Sequence, residues 1–272
     1  MSDYLHVSID GHVAHLQLND PGKLNAMGPA FWNDMPEVIE GINANRTVRA
    51  LLITGAGRAF TAGLDVMAIM SNLPVDPAGG PPDGHRQAQL HDLIRKMQRA
   101  ITAVERCRVP VVAAIHGYCL GGGVDLITAC DIRVASPGAI FGVRETRIAM
   151  VADVGTLQRL PLLVGRAHAR DLVLTGRDFD AVHALKIGLV TEVLEDDDTT
   201  LARGRAIAEE IAALPPLAVQ GAKRVMNEAD RAAVDRGLEY VATWNAAHLM
   251  TQDLGQAVTA MITKQTPEYE GR

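Results

Sequence analysis

Cysteine, aromatic side chains and long apolar runs are all scarce in this chain. Three cysteines, Cys107, Cys119 and Cys130, stand in 272 residues with no CxxC and no paired spacing. So sparse and odd a set argues against a disulfide framework and for a reducing compartment. No apolar stretch approaches the roughly 20 residues that a membrane helix needs, so no membrane partner is expected. An excess of positive charge is missing as well. The net charge is −6 and the isoelectric point about 5.8, which offers no global field to nucleic acid. The start, MSDYLHVSID, has no basic region followed by an apolar one, and the end, PEYEGR, has no peroxisomal tripeptide. A cytoplasmic location is the expectation. The serines are Ser2, Ser8, Ser71 and Ser136, none of them in a GxSxG elbow. No HExxH or paired metal-ligand spacing occurs, so no resident metal is expected and the histidines are read as structural.

What is present is an ordinary globular composition, 48% hydrophobic and 21% charged, long enough for one large domain or a domain with an appendage. Residues Leu5–Leu18 alternate and turn at Asp10-Gly11, as a β-hairpin does. A helix is predicted from about Pro29 to Asn45 and another from about Arg86 to Arg106. Short apolar strands are predicted at Ala50–Thr54, Val111–Ile115, Ile132–Ala135, Ala139–Phe141 and Leu189–Leu194. The segment Asn72–Gly84, with four prolines and three glycines, is predicted to be a loop, and the sequence leaves open whether it orders over a substrate. Strands alternating with helices give an α/β core over 1–199, followed by a helical region over 200–272.

Two segments share one design. In ALLITGAGRAFTAGLD, residues 50–65, a buried strand enters a glycine-rich turn and then a helix at Ala62-Gly63-Leu64-Asp65. In VVAAIHGYCLGGGVD, residues 111–125, a strand again meets glycines, Gly121 to Gly123, and a helix. The first N–H groups of a helix have no internal acceptor and sit at the positive end of its dipole. Two such elbows face to face would give one oxygen two donors, an oxyanion hole. The glycines could instead serve only as tight turns. A dinucleotide fingerprint is the other competitor, but its third glycine is replaced by Phe60.

Three carboxylates lie on apolar ground. Asp125 follows Gly122 by three residues on the same helix face, Glu145 follows Ala139-Ile140-Phe141, and Asp153 sits in the apolar run Ile148–Val154. Apolar surroundings raise carboxyl pKa values and suit such groups to proton transfer. Each also has a plainer reading. Asp153 would cap a helix beginning near Gly155, Glu145 would pair with Arg144 or Arg147, and Asp125 would pair with Arg133.

At these residues the sequence resembles the crotonase (enoyl-CoA hydratase/isomerase) superfamily. The resemblance spans nearly the whole chain and is densest from about Asn19 to Leu163. Its landmarks are PGKLNAM (21–27), FTAGLD (60–65), GYCLGGGVDLITACD (117–131) and VGTLQRLP (154–161). It implies a spiral of ββα repeats, an oxyanion hole from the N–H groups of Leu64 and Gly122, and C-terminal helices that drive assembly into homo-trimers or hexamers. Coenzyme A, as part of an acyl-CoA substrate rather than a cofactor, would bind along Lys23, Leu24, Ala26, Ala62, Gly63, Asp65 and Gly121. Within the superfamily the acidic trio Asp125, Glu145 and Asp153 looks most like the Δ3,5-Δ2,4-dienoyl-CoA isomerase branch. Ala149 departs from the Gly usual there, which would alter the pocket wall. Glu145 is assigned to the proton at substrate C2 and Asp153 to C6, with the reverse order left open by the sequence, and Asp125 would orient or polarise the other two. The alternatives are an enoyl-CoA hydratase or Δ3-Δ2-enoyl-CoA isomerase, and a non-catalytic thioester-binding protein.

Overall fold

The computed structural model describes residues 3–71 and 83–272, so most of the Pro/Gly-rich loop, with the question of whether it covers a substrate, lies outside the described residues. The hairpin forms as expected: β1 (Leu5–Asp10) pairs antiparallel with β2 (Val13–Leu18). Then follow α1 (Pro29–Ala44), β3 (Ala50–Gly55), α2 (Val66–Met70), α3 (Gly84–Glu105), β4 (Val111–Ile115), β5 (Tyr118–Leu120), α4 (Gly122–Thr128), β6 (Ile132–Ala135) and β7 (Ile140–Gly142). The chain continues through α5 (Thr156–Thr175), β8 (Asp178–Asp180), α6 (Ala181–Lys186), β9 (Glu192–Val193), α7 (Asp197–Ala213), α8 (Pro216–His248) and α9 (Gln252–Thr263).

The larger sheet has the order β1-β2-β3-β4-β6-β9, parallel from β2 onward, and the smaller has the order β5-β7-β8. Strands β3 and β4 are buried along their whole length, which is why they are continuous apolar runs rather than alternating ones. Because side chains alternate across a strand, Leu51 and Ile53 face the main core with α1 and α3, while Ala50 and Leu52 face α7. Helix α1 buries Phe31, Met35, Val38 and Ile42, and α3 buries Leu90, Ile94, Met97 and Ile101, each set at helical spacing.

Two expectations need adjusting. The helix at the first elbow begins at Val66, because the Asp65 side chain caps it by accepting the Ala68 N–H at 3.0 Å. The strand expected at 189–194 shrinks to Glu192–Val193, since Leu189 and Val190 N–H groups close a turn on the Ala184 carbonyl instead. Strands β5 and β8, three residues each, were not anticipated.

The described strands repeat a pattern. Thr61 bridges Cys119 of β5, and Cys119 pairs with Phe141 of β7. Each of β3, β4 and β6 in the larger sheet is therefore followed by a shorter segment in the smaller one and then by a helical turn. Helix α7 closes the outer face of the larger sheet with Ile207, Ala208 and Ala212. It approaches so closely that a Cβ at Gly204 would lie 2.8 Å from the Ala114 Cβ and 3.1 Å from Leu52 Cδ1. Gly204→Val should therefore cost about 1–3 kcal/mol in urea denaturation. An unchanged midpoint would mean that α7 is not seated on the sheet.

Candidate active site

The two elbows meet. Met27 N–H donates to the Gly63 carbonyl (2.7 Å) and Asp65 N–H to the Met27 carbonyl (3.1 Å). In a parallel bridge of this kind the intervening residue, Leu64, turns its own N–H to the opposite side. Gly122 stands on that side: a Cβ on Gly122 would be 3.7 Å from the Leu64 nitrogen. Gly122 is the first residue of α4, so its N–H has no intrahelical acceptor. Such proximity demands glycine at 63, where φ is +86° and a Cβ would fall 2.3 Å from the Leu120 carbonyl oxygen.

The loop carrying Lys23, Leu24 and Ala26 lies along the same elbow. Ala62 N–H donates to the Leu24 carbonyl (2.8 Å), and exposed Lys23 reaches Asp65 Oδ2 at 3.3 Å. Asn25, between them, was not singled out from the sequence. It is fully buried with φ +54°, a conformation Asn tolerates better than most residues. Its amide donates to the carbonyls of Ala56 and Ala59 (both 2.8 Å) and Phe60 (3.2 Å), and its Oδ1 accepts the Asp20 N–H (2.9 Å). One side chain thus fixes the turn that delivers Leu64.

The carboxylates converge from three elements. Asp125, fully buried in the first turn of α4, accepts the Thr156 N–H on Oδ1 at 2.5 Å, while its Oδ2 has no partner among the described residues. Glu145 opens a short 3-10 turn, and its Oε2 is likewise buried and unpartnered. Its Oε1 would lie 3.2 Å from a Cβ at Gly121, which places the carboxyl beside the elbow. Asp153 lines an apolar cavity with Leu64, Ile69, Ile94, Met97, Met150 and Leu254. It is the one ionisable group among the residues lining that cavity. Ala149 is left-handed (φ +54°), the conformation that suits the Gly expected there, and its neighbour Met150 lines the wall.

None of the plainer pairings occurs. Arg144 forms a two-pronged pair with Asp178 and Arg147 lies 3.7 Å from the same carboxylate. Arg133 is spent on the carbonyls of Leu189, Ile127 and Cys130. Helix α5 is capped by Gly155 with no side-chain bond, and Asp153 instead accepts the Asn245 amide on Oδ2 at 2.6 Å. The trio is therefore left without a salt bridge among the described residues. Burial drives all three carboxyls upward. Asp125 rises to about 6, restrained by the Thr156 N–H bond and the charge of Arg159. Asp153 rises to about 7, restrained by Asn245 and pushed by Asp125. Glu145 rises furthest, to about 8, because the Asp125 charge adds to burial.

A sequence profile of the enoyl-CoA hydratase/isomerase family matches residues 8–272. The chain belongs to that family. It is 42% identical over 267 residues to the peroxisomal Δ3,5-Δ2,4-dienoyl-CoA isomerase of Arabidopsis thaliana, covering 98% of this chain and 96% of that one. It is 43% identical over 255 residues to the mitochondrial enzyme of that name from Homo sapiens, covering 93% and 77%. Among solved structures, an enoyl-CoA hydratase/isomerase from Pseudoalteromonas atlantica superposes with a TM-score of 0.86 at 31% identity, covering 98% of this chain and all of that one. An enoyl-CoA hydratase from Bacillus anthracis gives 0.75 at 30%, covering 99% and 100%. The α/β architecture is thus the crotonase fold, as the ββα succession implied. Among the described residues no helix is long and apolar enough to cross a membrane.

Asn25→Ala should leave three carbonyls and one N–H without their partner and cost about 2–4 kcal/mol. The loss would be read as a lower urea midpoint together with a fall in turnover. Unaltered stability would show that the loop holds itself.

Proposed function

We propose that this protein converts 3,5-dienoyl-CoA to 2,4-dienoyl-CoA. The observation that carries the reading is Asp153, a third carboxyl set in an apolar cavity that begins at Leu64. In the mechanism, Glu145 removes a proton from C2 and the electron pair spreads over the diene and the thioester oxygen. The N–H groups of Leu64 and Gly122 hold that oxygen, and Asp153 delivers a proton to C6. The double bonds at C3 and C5 become double bonds at C2 and C4, and no redox partner is needed. Removing one such N–H donor elsewhere costs about 3–4 kcal/mol in the transition state. Position supports this assignment of ends: Glu145 is beside the elbow that would hold the thioester, and Asp153 lines the apolar cavity that would take the acyl chain. Asp125, ionising first of the three, keeps the other two high.

The coenzyme A portion is assigned to the rim of Lys23, Leu24, Ala26, Ala62, Gly63, Asp65 and Gly121. Assembly into homo-trimers or hexamers is assigned to residues 200–272, where α8 exposes Leu217, Val225 and Tyr240 at 84%, 73% and 71%. Three unpaired, buried cysteines fit a reducing compartment such as the cytoplasm.

The first experiment sets isomerisation of a 3,5-dienoyl-CoA, followed in the near ultraviolet, beside hydration of a 2-enoyl-CoA. Fast isomerisation with weak hydration is expected, and Asp153→Asn should abolish the former by at least about a hundredfold. Fast hydration without isomerisation would overturn the reading in favour of a hydratase. The pH profile has a defined sign. Forward turnover needs one proton on the Glu145–Asp153 pair, with Glu145 ionised and Asp153 protonated. Because Glu145 rises to about 8 and Asp153 to about 7, this is the less populated of the two singly protonated forms, and its share is largest between those values. The profile of kcat/KM should be a bell with its maximum between those values. Asp125→Asn, by removing a negative charge, should move the bell to lower pH.

A further inference from the structure

Residue 153 is gripped by two buried side-chain amides from helices far away in sequence. Gln98 of α3 donates through Nε2 to the Asp153 carbonyl (2.7 Å) and the Leu238 carbonyl (2.9 Å), and its Oε1 accepts from Arg95 at 2.7 Å. Asn245 of α8 donates through Nδ2 to the Val151 carbonyl (2.9 Å) and to Asp153 Oδ2 (2.6 Å). Both amides are buried, 2% and 1% exposed.

The Val151 carbonyl can only accept, so it settles which way the Asn245 amide points: the NH2 group faces Val151 and Asp153. With both of its hydrogens committed, that nitrogen offers nothing that could accept a proton from Asp153 Oδ2. A hydroxyl oxygen is the poorer acceptor for that N–H, so a proton on Asp153 is favoured on Oδ1 and disfavoured on Oδ2.

We propose that Asn245 is a positioning residue that assigns the two oxygens of Asp153 different tasks, Oδ2 to be held and Oδ1 to exchange the proton with the far end of the acyl chain. The inference rests on the reading of Asp153 as the group acting at C6. The groups bearing on Asp153 are Asp125 from α4 and Glu145 from the 3-10 turn, with Arg159 of α5 acting through Asp125 and Arg95 of α3 through Gln98. Leu249, just past the end of α8, and Leu254 of α9 add only apolar surface to the cavity. Asn245 therefore supplies a neutral donor that favours the carboxylate, against the desolvation and the Asp125 charge that favour the acid.

The test uses the full-length protein with Asn245→Leu, which removes the donor at similar volume, and Asn245→Ser, which keeps one. In Asn245→Leu, kcat for the 3,5-dienoyl-CoA should fall at least about tenfold with KM within about twofold. The carboxyl signal of Asp153 in 13C-aspartate-labelled protein should titrate at higher pH than in the parent. Asn245→Ser should recover most of both. Solvent deuterium exchange at C2 of a saturated acyl-CoA, which needs Glu145 and not Asp153, should be unchanged. In an Asp153→Asn background, Asn245→Leu should have no further effect on kcat. An equal fall in that background, loss of C2 exchange, or an unmoved Asp153 titration would overturn the proposal and leave Asn245 a packing residue. If the parent exchanges C2 but does not isomerise dienes, the dienoyl reading fails, and the Asp153 titration alone then decides whether Asn245 controls its proton.

Discussion

Two stretches of backbone touch where Gly63 passes the Leu120–Gly122 segment, and the rest of the site depends on how closely they do so. The Leu64 nitrogen and Gly122 lie side by side only because residue 63 has no Cβ and adopts a positive φ. That contact is fixed from outside by the Thr61–Cys119 bridge and from beneath by Asn25, which ties the 56–60 turn to the loop at 20–25. Hydrogen bonds made this way are satisfied within the protein, so both backbone segments are held in place by the fold itself.

The same register explains why the chemistry collects at one end of the fold. Thr61, Cys119 and Phe141 are neighbours across the smaller sheet, and Leu64, Gly122 and Glu145 follow them by three, three and four residues. Successive turns of the spiral therefore deliver one N–H, a second N–H and a carboxyl to nearly equivalent positions. Asp125, one turn into α4, adds the buried charge that the helix N-terminus favours. Only Asp153 breaks the pattern, because it belongs to the entry into α5 and lies on the wall of the apolar cavity.

The strands that organise this arrangement were legible because they are buried on both faces and consist of short apolar runs bounded by glycine or proline. The elbows and the acidic trio were legible as residue types at particular spacings. What escaped was set by partners distant in the chain. Strands β5 and β8 have three residues each, and their pairing is dictated by the strands before them more than by their own composition. Asn25 gave a weak signal, an Asn between small residues in PGKLNAM, but its four hydrogen bonds require the fold to be known. Asn245 gave none, lying 92 residues from the carboxyl it holds. The order in which the carboxyls ionise was equally hidden, since it follows from which of them receives a donor and from the Asp125 charge on the other two.

That order carries a cost for folding. A carboxyl whose pKa is raised in the folded protein contributes its stability below the ordinary carboxyl range and loses it as pH climbs through the folded value. For Asp125, Asp153 and Glu145 the loss spans the interval from about 4 up to about 6, 7 and 8 respectively. Near neutrality the site therefore works against the fold, and other buried charges must not add to the burden. Arg159 is met by a bidentate Glu105 (2.8 and 2.9 Å), and Lys223 by Asp131 at 2.7 Å. Each of those ions has its partner close enough to offset desolvation. The trio has no such partner among the described residues, so no salt bridge offsets the burial that holds its carboxyls toward the protonated form. The uncompensated charge at the end of the cavity is the property that separates this site from the paired charges elsewhere in the same core.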